Sequence, residues 1–371
     1  MSSHRIVVVG GGILGTMHAV SAVERGFDVV QIEREADARG ASLRNFGLVW
    51  VSGRAAGAEL DLALKARARW EEVAERHPGT GFRANGSVTV ARSDAELALM
   101  AAACAAPDGE ARGFRLLDSS EVRSLNPAIN GEIVGGLHCA LDAGVEPRLA
   151  PSALRASLER SGHYRYVSGR EIRDVRRGLA VDHLGDRYEA DLIILCTGAA
   201  HTGLAGEVLS AAPLRRVRLQ MFETAPFAQT LTTSIADGDS LRYYPAFDHP
   251  ERSALDSQAP VASEHNMQLL CQQRLDGSLT VGDTHAYDEP FAFDLAEDPT
   301  DYLVKVLGEV LGATVPKIIR RWAGVYSQLA LPEGLGPVYY RETIDEGVVV
   351  VTGPGGRGMT LSPAIAEETF E

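Results

Sequence analysis

The sequence predicts an α/β fold in which a Rossmann-like dinucleotide-binding domain is joined to a second, mixed-sheet α+β domain. Two observations predict the first domain. An apolar, β-branched run at residues 6–9 suits a strand buried on both faces, as in a parallel sheet. The pattern Gly10-x-Gly12-x-x-Gly15 follows it at once. The second domain is predicted because strands and helices then recur around residues 86–126 without that glycine signature.

The glycine pattern has a physical reading at each position. The first glycine permits a tight turn, the second lets the backbone approach a pyrophosphate, and the third lets helix and strand pack closely. A helix is predicted over residues 13–25 and ends at Gly26. Its N-terminus offers unpaired N–H groups and a partial positive charge, which suit a phosphate. A glycine-rich turn without a ligand is the alternative.

The second strand supports the nucleotide interpretation. It is predicted over residues 28–32 and ends at Glu33, at the spacing where an acid accepts a hydrogen bond from a ribose hydroxyl. The same acid disfavours NADP, because it would repel a 2′-phosphate. Strand, glycines, helix, strand and acid agree, and they favour a bound dinucleotide over an empty turn.

Composition excludes several classes of function. The 371 residues carry a formal charge of -14, which argues against non-specific binding to nucleic acid or to anionic lipid. No leader and no membrane-spanning run is recognised, so no membrane association is expected. The four cysteines are scattered and lack zinc-ligand spacing, which predicts reduced thiols, no metal and a cytoplasmic location. The oligomeric state is not predicted.

The remaining elements are predicted in chain order. Ser42 and Asn45 lie either beside the cofactor or in a cap and a turn, and the residues alone favour neither. Helices are predicted over residues 57–76, 94–106, 119–126, 151–160 and 302–311. Strands are predicted over residues 86–91, 114–117, 164–167, 179–183, 187–189, 191–198, 214–223, 268–274, 279–282 and 347–351.

Two of these strands end in glycine turns. Thr197 and Gly198 close a buried strand, at the end where open α/β sheets bind ligands. Residues 352–358 form a glycine turn after four valines, and a helix is predicted to open near Ser362 and Pro363. That turn is expected to aim amide N–H groups at a second anionic part of the cofactor.

Together these motifs carry a family resemblance. The Gly10–Gly15 pattern with Glu33, RNFG at residues 44–47, CTG at residues 196–198 and TGPGGRGM at residues 352–359 occur in one order. The chain resembles the FAD-dependent amine oxidoreductases related to D-amino-acid oxidase, glycine oxidase and sarcosine oxidase, over essentially its full length. The resemblance implies FAD, held non-covalently because no histidine or cysteine clearly matches the family's attachment sites.

The resemblance also implies the domain ranges. A discontinuous, glutathione-reductase-like FAD domain would comprise residues 1–80, 142–213 and 326–371, and a substrate domain residues 81–141 and 214–325. Glycines 10, 12 and 15 would approach the pyrophosphate, Glu33 would hold the ribose, and the backbone of Val167 would contact adenine. The other cofactor-binding residues that it implies are Ile13, Leu14, Arg34, Ser42, Asn45, Phe46, Gly47, Thr197, Gly198, Gly355, Gly356, Arg357, Gly358, Met359 and Thr360.

A narrower resemblance concerns the substrate. RNFG, RYYPAF at residues 242–247 and GPGGRGMT at residues 353–360 resemble a subgroup associated with bacterial phosphonate catabolism. That subgroup implies a small anionic amine, an aminophosphonate such as N-methylated 2-aminoethylphosphonate. Amino-acid oxidases of the family carry an arginine soon after Trp-x-Gly, whereas Tyr326 follows Trp322-Ala-Gly here. A simple α-amino acid is therefore disfavoured, unless another arginine binds its carboxylate.

The candidate substrate residues follow from this departure. A guanidinium fork suits a phosphonate as well as a carboxylate, so Arg44, Arg242, Arg274 and Arg357 are candidates for the anion. Tyr243, Tyr244 and Tyr326, with Arg357, are candidate catalytic residues. If Tyr243 and Tyr244 lie on a strand, only one side chain points inward, and packing in the sheet is an equal alternative. His265 and His285 are expected to be surface or structural residues.

The family implies the reaction. A neutral amine loses hydride to the flavin, the imine hydrolyses to aldehyde and amine, and O2 reoxidises the flavin and gives hydrogen peroxide. Thr280 matches the position where sarcosine oxidases carry a lysine for oxygen activation, so a dehydrogenase is an alternative. Two further hypotheses stay open: an oxidase or dehydrogenase of a secondary amino acid (sarcosine, glycine or proline type), and a catalytically silent FAD-binding sensor or complex subunit.

Overall fold

The computed structural model describes residues 4–331 and 336–371. Residues 1–3 and 332–335, which the predicted domain ranges include, lie outside the described residues. The strands are β1 (Arg5–Val9), β2 (Asp28–Ile32), β3 (Leu48–Val49), β4 (Ser87–Ala91), β5 (Phe114–Asp118), β6 (Gly135–Cys139), β7 (Ala143–Gly144), β8 (Tyr164–Val167), β9 (Ile172–Arg176), β10 (Leu179–Asp182), β11 (Arg187–Glu189), β12 (Leu192–Leu195), β13 (Leu214–Thr224), β14 (Ser234–Ala236), β15 (Leu270–Gln273), β16 (Leu279–Gly282), β17 (Ile318–Leu329), β18 (Tyr340–Asp345) and β19 (Val348–Thr352).

The helices complete the element order. They are α1 (Ile13–Glu24), α2 (Ala58–Arg76), α3 (Asp94–Ala105), α4 (Ser119–Leu125), α5 (Ala150–Glu159), α6 (Leu204–Val208), α7 (Ser240–Tyr243), α8 (Pro260–Glu264), α9 (Asp298–Leu311) and α10 (Gly358–Glu368). Short 3-10 helices lie at Ala41–Leu43, Pro245–Phe247, Pro250–Ala254 and Gly355–Arg357.

The glycine motif lies at the centre of a six-stranded sheet with the order β18-β19-β12-β1-β2-β8. All neighbouring strands from β19 to β8 pair in parallel, and only β18 pairs antiparallel. The apolar run of β1 is buried on both faces: Ile6 and Val8 pack against α1 and α10, and Val7 packs on the opposite face near β10 and β11. The predicted α/β fold is confirmed, because a strand covered on both faces needs this continuous apolar sequence.

The second sheet has eight strands in the order β17-β13-β16-β15-β14-β4-β6-β5. It is mixed, since β14 pairs parallel with β4 while the other neighbours are antiparallel. Helix α9 buries Leu303, Leu307 and Val310 against one face of this sheet. The sheet brings the chain segments 87–139 and 214–329 together, far from each other in sequence.

The predicted domain division stays a prediction, and one of its boundaries falls inside a strand. The boundary between residues 325 and 326 cuts β17, which pairs with β13 from Leu214 through to Thr224. Two long antiparallel strands with a continuous ladder form one unit, so the chain does not pass between domains at that residue.

The C-terminal helix begins earlier than predicted. Helix α10 opens at Gly358, directly after the 3-10 turn Gly355–Arg357, and Pro363 lies inside it. Pro363 has no N–H to donate to the carbonyl of Met359 one turn earlier. That carbonyl accepts a hydrogen bond from Nε1 of Trp70 at 2.8 Å instead. The tertiary contact satisfies the acceptor that proline leaves open, so the helix tolerates it.

Two searches of the described residues found nothing. None of their helices has the length and apolar character that a membrane crossing requires. Within residues 4–331 and 336–371, no His, Cys, Asp and Glu side chains group as a metal site would require.

Candidate active site

A cavity of about 580 Å³ extends from the carboxyl ends of β1 and β12 to the second sheet. Its wall combines the Gly10–Gly15 turn, the loop of residues 38–54, the turn after β12 and the glycine loop before α10. Strands β13, β15 and β17 and the segment after β16 supply the other side. The cavity therefore joins the predicted nucleotide site to the predicted substrate residues.

The three motif glycines are required by close backbone packing. Gly10 has a φ of 118°, and a Cβ there would overlap the carbonyl oxygen of Cys196 on the neighbouring strand. A Cβ on Gly15 would overlap the carbonyl oxygen of Gly10. A Cβ on Gly12 would lie 2.9 Å from Oγ of Ser42, on the wall of the cavity. Only glycine keeps this turn tight and open to a ligand.

The Glu33 carboxylate is fixed at the same end of the cavity. It is 9% exposed, and its Oε2 accepts a hydrogen bond from the N–H of Gly11 at 2.7 Å. Its Oε1 accepts from the N–H of Glu35 at 3.0 Å. Each oxygen keeps a lone pair for a further donor, such as a ribose hydroxyl. Beyond β12, the buried Oγ1 of Thr197 has no hydrogen-bond partner among the described residues.

Ser42 and Asn45 hold the loop beside this turn. Ser42 does not cap a helix of its own, since it lies inside the 3-10 helix Ala41–Leu43. Its Oγ accepts from the N–H of Ile13 at 2.8 Å, at the N-terminus of α1. Its hydroxyl proton remains available to an anion. Asn45 donates to the carbonyl of Ala41 at 2.8 Å and accepts from Gly47, so its side chain is used within the loop.

These features fit a dinucleotide. The glycine turn clears space for a pyrophosphate, α1 points its N-terminus at that space, and Glu33 offers an acceptor. The predicted cofactor residues that line the cavity are Gly10, Gly12, Ile13, Leu14, Gly15, Glu33, Arg34, Ser42, Asn45, Phe46, Thr197, Gly198, Gly355, Gly356, Arg357, Gly358, Met359 and Thr360.

Two predicted cofactor residues do not line the cavity. The carbonyl of Val167 accepts a hydrogen bond from the N–H of Glu33 at 2.9 Å, as part of the β2–β8 pairing. Gly47 has a φ of 75° and turns the chain into β3, where its carbonyl accepts from the N–H of Val145 at 2.7 Å. Gly47 therefore shapes the loop, and the Val167 carbonyl is occupied within the sheet.

Tyr243 and Tyr244 are not on a strand, which corrects the expectation of alternation. They end the short helix α7 and precede the 3-10 turn Pro245–Phe247, and both line the cavity. Their ring centroids are 5.1 Å apart in an edge-on contact. Tyr326 reaches the same cavity from β17. Burial raises the pKa of all three phenols, so they stay protonated at neutral pH.

Two arginines share one carboxylate in this part of the cavity. Nε of Arg357 lies 2.7 Å from Oε1 of Glu59, and Nη1 of Arg54 lies 3.5 Å from the same oxygen. The Arg54 side chain is 6% exposed, and its Cζ lies 5.6 Å from the ring centroid of Tyr244. Its buried Nε has no partner among the described residues. Burial lowers the pKa of Arg54, and Glu59 opposes this effect.

The other candidate arginines have different places. Arg44 lines the cavity and donates to the carbonyl of Ala323 at 3.2 Å. Arg274 does not line it: its Nε donates to Thr280 at 2.7 Å and its Nη1 to the carbonyl of Phe46 at 2.7 Å. Arg242 also lies outside, because it pairs with Asp239 and the carbonyl of Asp256 on the other side of α7. Arg242 and Arg274 are therefore wrong as anion ligands, although they neighbour cavity residues in sequence.

A second group of polar residues was not predicted. Asp283 is 6% exposed and lines the cavity, and its Oδ2 lies 3.5 Å from Nε2 of His285. His285 is buried and stacks on Tyr243 with ring centroids 4.5 Å apart, so the expectation of a surface or structural histidine misses its place in the cavity wall. Nε2 of Gln268 donates to the Tyr244 hydroxyl at 3.4 Å.

Comparison with known proteins agrees with this geometry. A family model described as FAD dependent oxidoreductase (DAO) matches residues 5–371. An opine oxidase subunit of Agrobacterium tumefaciens (strain Ach5) is 28% identical over 240 residues, which are 59% of this chain and 62% of that protein. The chain therefore spans a little under two thirds of this curated relative.

Solved structures of similar fold cover nearly the whole chain. A glycine oxidase from Bacillus cereus ATCC 14579 has a TM-score of 0.78 at 18% identity, over 99% of this chain and 96% of the other. L-alpha-glycerophosphate oxidase from Mycoplasma pneumoniae with FAD bound has a TM-score of 0.73 at 16% identity, over 100% and 94%. These similarities establish the shared fold.

Proposed function

The chain belongs to the DAO family of FAD-dependent oxidoreductases, and from that membership we propose that it oxidises a small anionic amine. The substrate is an aminophosphonate, such as 2-aminoethylphosphonate or its N-methyl derivative. FAD, when bound, accepts hydride from the carbon that carries the nitrogen. The products are an aldehyde and an amine, after hydrolysis of the imine.

The proposed cofactor contacts divide between two ends of the cavity. Gly10, Gly12, Gly15 and Glu33 hold the nucleotide end, together with the Ser42 hydroxyl. The glycine loop at residues 355–360 holds the flavin end through its backbone. The cleared turn, the fixed carboxylate and the partnerless Thr197 hydroxyl support this assignment. We propose that FAD is bound without a covalent link.

The observation that carries the substrate proposal is the Arg54–Glu59–Arg357 group. Two guanidinium groups and one carboxylate leave a net positive charge in a buried part of the cavity. A buried cation with an unused N–H is costly unless a partner compensates it. An anionic group on the substrate would supply that partner, by a charge-assisted hydrogen bond to Nε of Arg54.

The surrounding phenols favour a phosphonate over a carboxylate. Tyr326 occupies the region where amino-acid oxidases of the family carry an arginine, and it lines the cavity with Tyr244. A phosphonate offers three oxygens and up to two negative charges, whereas a carboxylate offers two oxygens and one charge. Two guanidinium groups and protonated phenols supply enough donors for the larger anion.

The electron acceptor is proposed to be O2. The lysine that sarcosine oxidases use is replaced by Thr280, which is fully buried and accepts a hydrogen bond from Arg274 at 2.7 Å. Thr280 does not line the cavity, so oxygen would react without a cation at that position. A dehydrogenase that delivers electrons to a quinone or dye is the alternative for this half of the reaction.

A secondary amino acid is the second candidate substrate. The fold is similar to that of a glycine oxidase, and Arg54 would accept a carboxylate as well as a phosphonate. The donor count around the anion favours the phosphonate. A cytoplasmic location is also proposed, because Cys104, Cys139, Cys196 and Cys271 are all free, as is typical of a reducing compartment.

Oxygen uptake by the purified yellow protein tests this proposal. The amines compared are 2-aminoethylphosphonate, its N-methyl derivative, glycine, sarcosine and proline. We expect peroxide formation with one of the aminophosphonates at a higher kcat/KM than with any amino acid. Faster turnover of glycine or sarcosine would reject the phosphonate, and reoxidation only by added quinone would reject the oxidase.

A further inference from the structure

We propose that Asp283 binds the ammonium group of the substrate and accepts its proton, with His285 as the group that receives the proton next. The inference rests on the proposed function, since it concerns how that site handles an amine. It assigns the second half of a zwitterionic substrate: Arg54 binds the anion and Asp283 binds the cation.

Asp283 has the geometry of an unfilled cation contact. It follows β16 directly and reaches the cavity wall beside Gln268 and His285. Its Oδ1 is buried and has no hydrogen-bond partner among the described residues. A buried carboxylate oxygen that lacks a donor is unfavourable, and an N–H of a bound ammonium would satisfy it.

His285 is oriented to relay the proton. Its Nδ1 lies 2.9 Å from the carbonyl of Asn266, and a carbonyl only accepts, so Nδ1 carries the hydrogen. The neutral ring then has its lone pair on Nε2, which lies 3.5 Å from Oδ2 of Asp283. The proton acceptor of the imidazole therefore faces the carboxylate, as a carboxylate–imidazole pair that shares one proton requires.

A chain of contacts separates the two charged ends of the site. The Arg54 guanidinium contacts the ring of Tyr244, Tyr244 contacts Tyr243 at 5.1 Å, and Tyr243 stacks on His285 at 4.5 Å. Arg54 and Asp283 thus face one cavity with the tyrosine pair between their partners. A short zwitterion can contact both without the two side chains neutralising each other.

The chemical need is the removal of one proton. An ammonium nitrogen has no lone pair to support loss of hydride from the adjacent carbon, so the amine has to be neutral first. One N–H bond of the ammonium breaks, its electron pair stays on nitrogen, and an O–H bond forms on Asp283. No oxidant takes part in this step. Burial raises the pKa of Asp283, which makes the carboxylate a stronger proton acceptor, while His285 and Gln268 oppose part of that rise.

Other ionisable groups lie near this carboxylate, and they define what a pH profile can report. They come from α7, β17, the loop after β16, the loop before α2 and the glycine loop before α10, and they are Tyr243, Tyr244, Tyr326, Tyr287, His285, Arg54 and Arg357.

The test compares Asp283→Asn with Asp288→Asn in FAD-loaded protein. Asp288 is exposed in the same loop and outside the cavity lining, so it matches the change of charge alone. Anaerobic bleaching of the flavin by the best amine substrate is followed from neutral to alkaline pH. We expect Asp283→Asn to slow bleaching about 100-fold at neutral pH. The rate should recover as the pH rises and free amine becomes available, whereas Asp288→Asn should behave as the wild type.

A second readout separates proton transfer from damage to the site. Ethylphosphonate carries the anion without the amine, and its binding is measured by the change it causes in flavin absorbance. We expect Asp283→Asn to bind ethylphosphonate as the wild type does. Asp283→Glu, which keeps a carboxylate, should regain part of the rate at neutral pH. If Asp283→Asn bleaches at the wild-type rate with the wild-type pH profile, or if ethylphosphonate binding falls as far as the rate, the assignment is overturned.

Failure of the proposed substrate is distinguishable from failure of this inference. If sarcosine bleaches the wild type and aminophosphonates do not, the phosphonate proposal is rejected, and the same comparison of variants with sarcosine still decides the role of Asp283. If an aminophosphonate bleaches wild type and Asp283→Asn equally, only the Asp283 assignment is rejected. A wild-type flavin that no amine bleaches overturns both.

Discussion

Nε of Arg357 lies 2.7 Å from Oε1 of Glu59, in a pair that joins the glycine loop before α10 to the first turn of α2. Arg54 approaches the same oxygen from the loop before α2. Glu59 is 7% exposed, so this carboxylate holds two cations in place within a mostly buried site. The arrangement leaves donors of Arg54 unused, and the first two predictions follow from it.

Replacing Arg54 should weaken binding of the anionic substrate. Arg54→Gln removes a buried cation whose hydrogen bonds to a charged ligand are worth about 1.5–3 kcal/mol. We expect KM for the aminophosphonate to rise about 10- to 100-fold, with a smaller change in kcat. Arg242→Gln is the matched control, because Arg242 pairs with Asp239 outside the cavity. Equal effects of the two substitutions on KM would contradict the role of Arg54.

Replacing Glu59 should destabilise the protein in a way that an anion reverses. Glu59→Gln leaves Arg54 buried without its carboxylate, and breaking a buried pair costs about 3 kcal/mol or more. We expect a lower Tm, partly restored by saturating ethylphosphonate because ligand binding stabilises the folded state. Glu71→Gln on the exposed side of α2 is the control. An increase in Tm with ethylphosphonate that is the same in wild type and Glu59→Gln would count against a shared cation site.

The glycine turn gives a prediction for cofactor binding. A Cβ on Gly15 would overlap the Gly10 carbonyl, which belongs to the backbone and cannot rotate away. Gly15→Ala should therefore yield protein with little bound FAD, measured as the flavin-to-protein absorbance ratio. Gly40→Ala is the control, since a Cβ there meets nothing within 4 Å. Full flavin content in Gly15→Ala would refute the packing argument.

Stability should depend on pH through His18, which joins α1 to α10. Its Nδ1 lies 2.7 Å from the Leu14 carbonyl and its Nε2 3.0 Å from Oγ1 of Thr369. Burial lowers the pKa of His18 from 6.5 to about 4. The unfolded chain therefore binds this proton more readily, and the contribution of His18 is complete above pH 6.5 and declines as the pH falls to about 4.

Urea unfolding at several pH values measures this effect. The free energy of unfolding should fall by up to about 3 kcal/mol between those two pKa values, on the basis of 1.36 kcal/mol per pKa unit. His18→Gln should remove this part of the slope, while His183→Gln, at an exposed residue, should keep it. An unchanged slope in His18→Gln would show that other groups produce it.

The fold and the nucleotide end could be predicted because their signals are local. Residues 6–33 contain the buried strand, the glycine turn, helix α1, the second strand and the acid within one continuous stretch. Each part constrains its neighbour, so spacing alone predicts how they pack. The short or polar strands were missed, as β14 has three residues and β18 exposes most of its side chains.

The inner part of the cavity could not be predicted in the same way. Glu59, Asp283 and Arg357 lie far apart in sequence and meet only after both sheets have formed. Asp283 follows a strand with no motif around it, and Arg54 stands in a loop of small residues. Arg242 and Arg274 were chosen for their sequence neighbours, and their side chains point to other partners in the folded chain.

Tyr243 and Tyr244 illustrate a different limit. Alternation along a strand would have sent one ring inward, but the short helix and the 3-10 turn at Pro245 send both to the cavity. Pro245 prevents a regular helix or a central strand from continuing, because it lacks an N–H. A proline directly after a tyrosine pair was the available signal for a turn.

Anaerobic mixing of the wild-type, FAD-loaded protein with N-methyl-2-aminoethylphosphonate and, separately, with sarcosine tests the central claim most directly. The rate and concentration dependence of flavin bleaching are compared for the two amines, which share an N-methyl amine and differ in the anion. We predict faster bleaching at lower concentration with the phosphonate, because Arg54, Arg357 and the phenols hold its anion. Faster bleaching by sarcosine, or none by the phosphonate, would contradict the account.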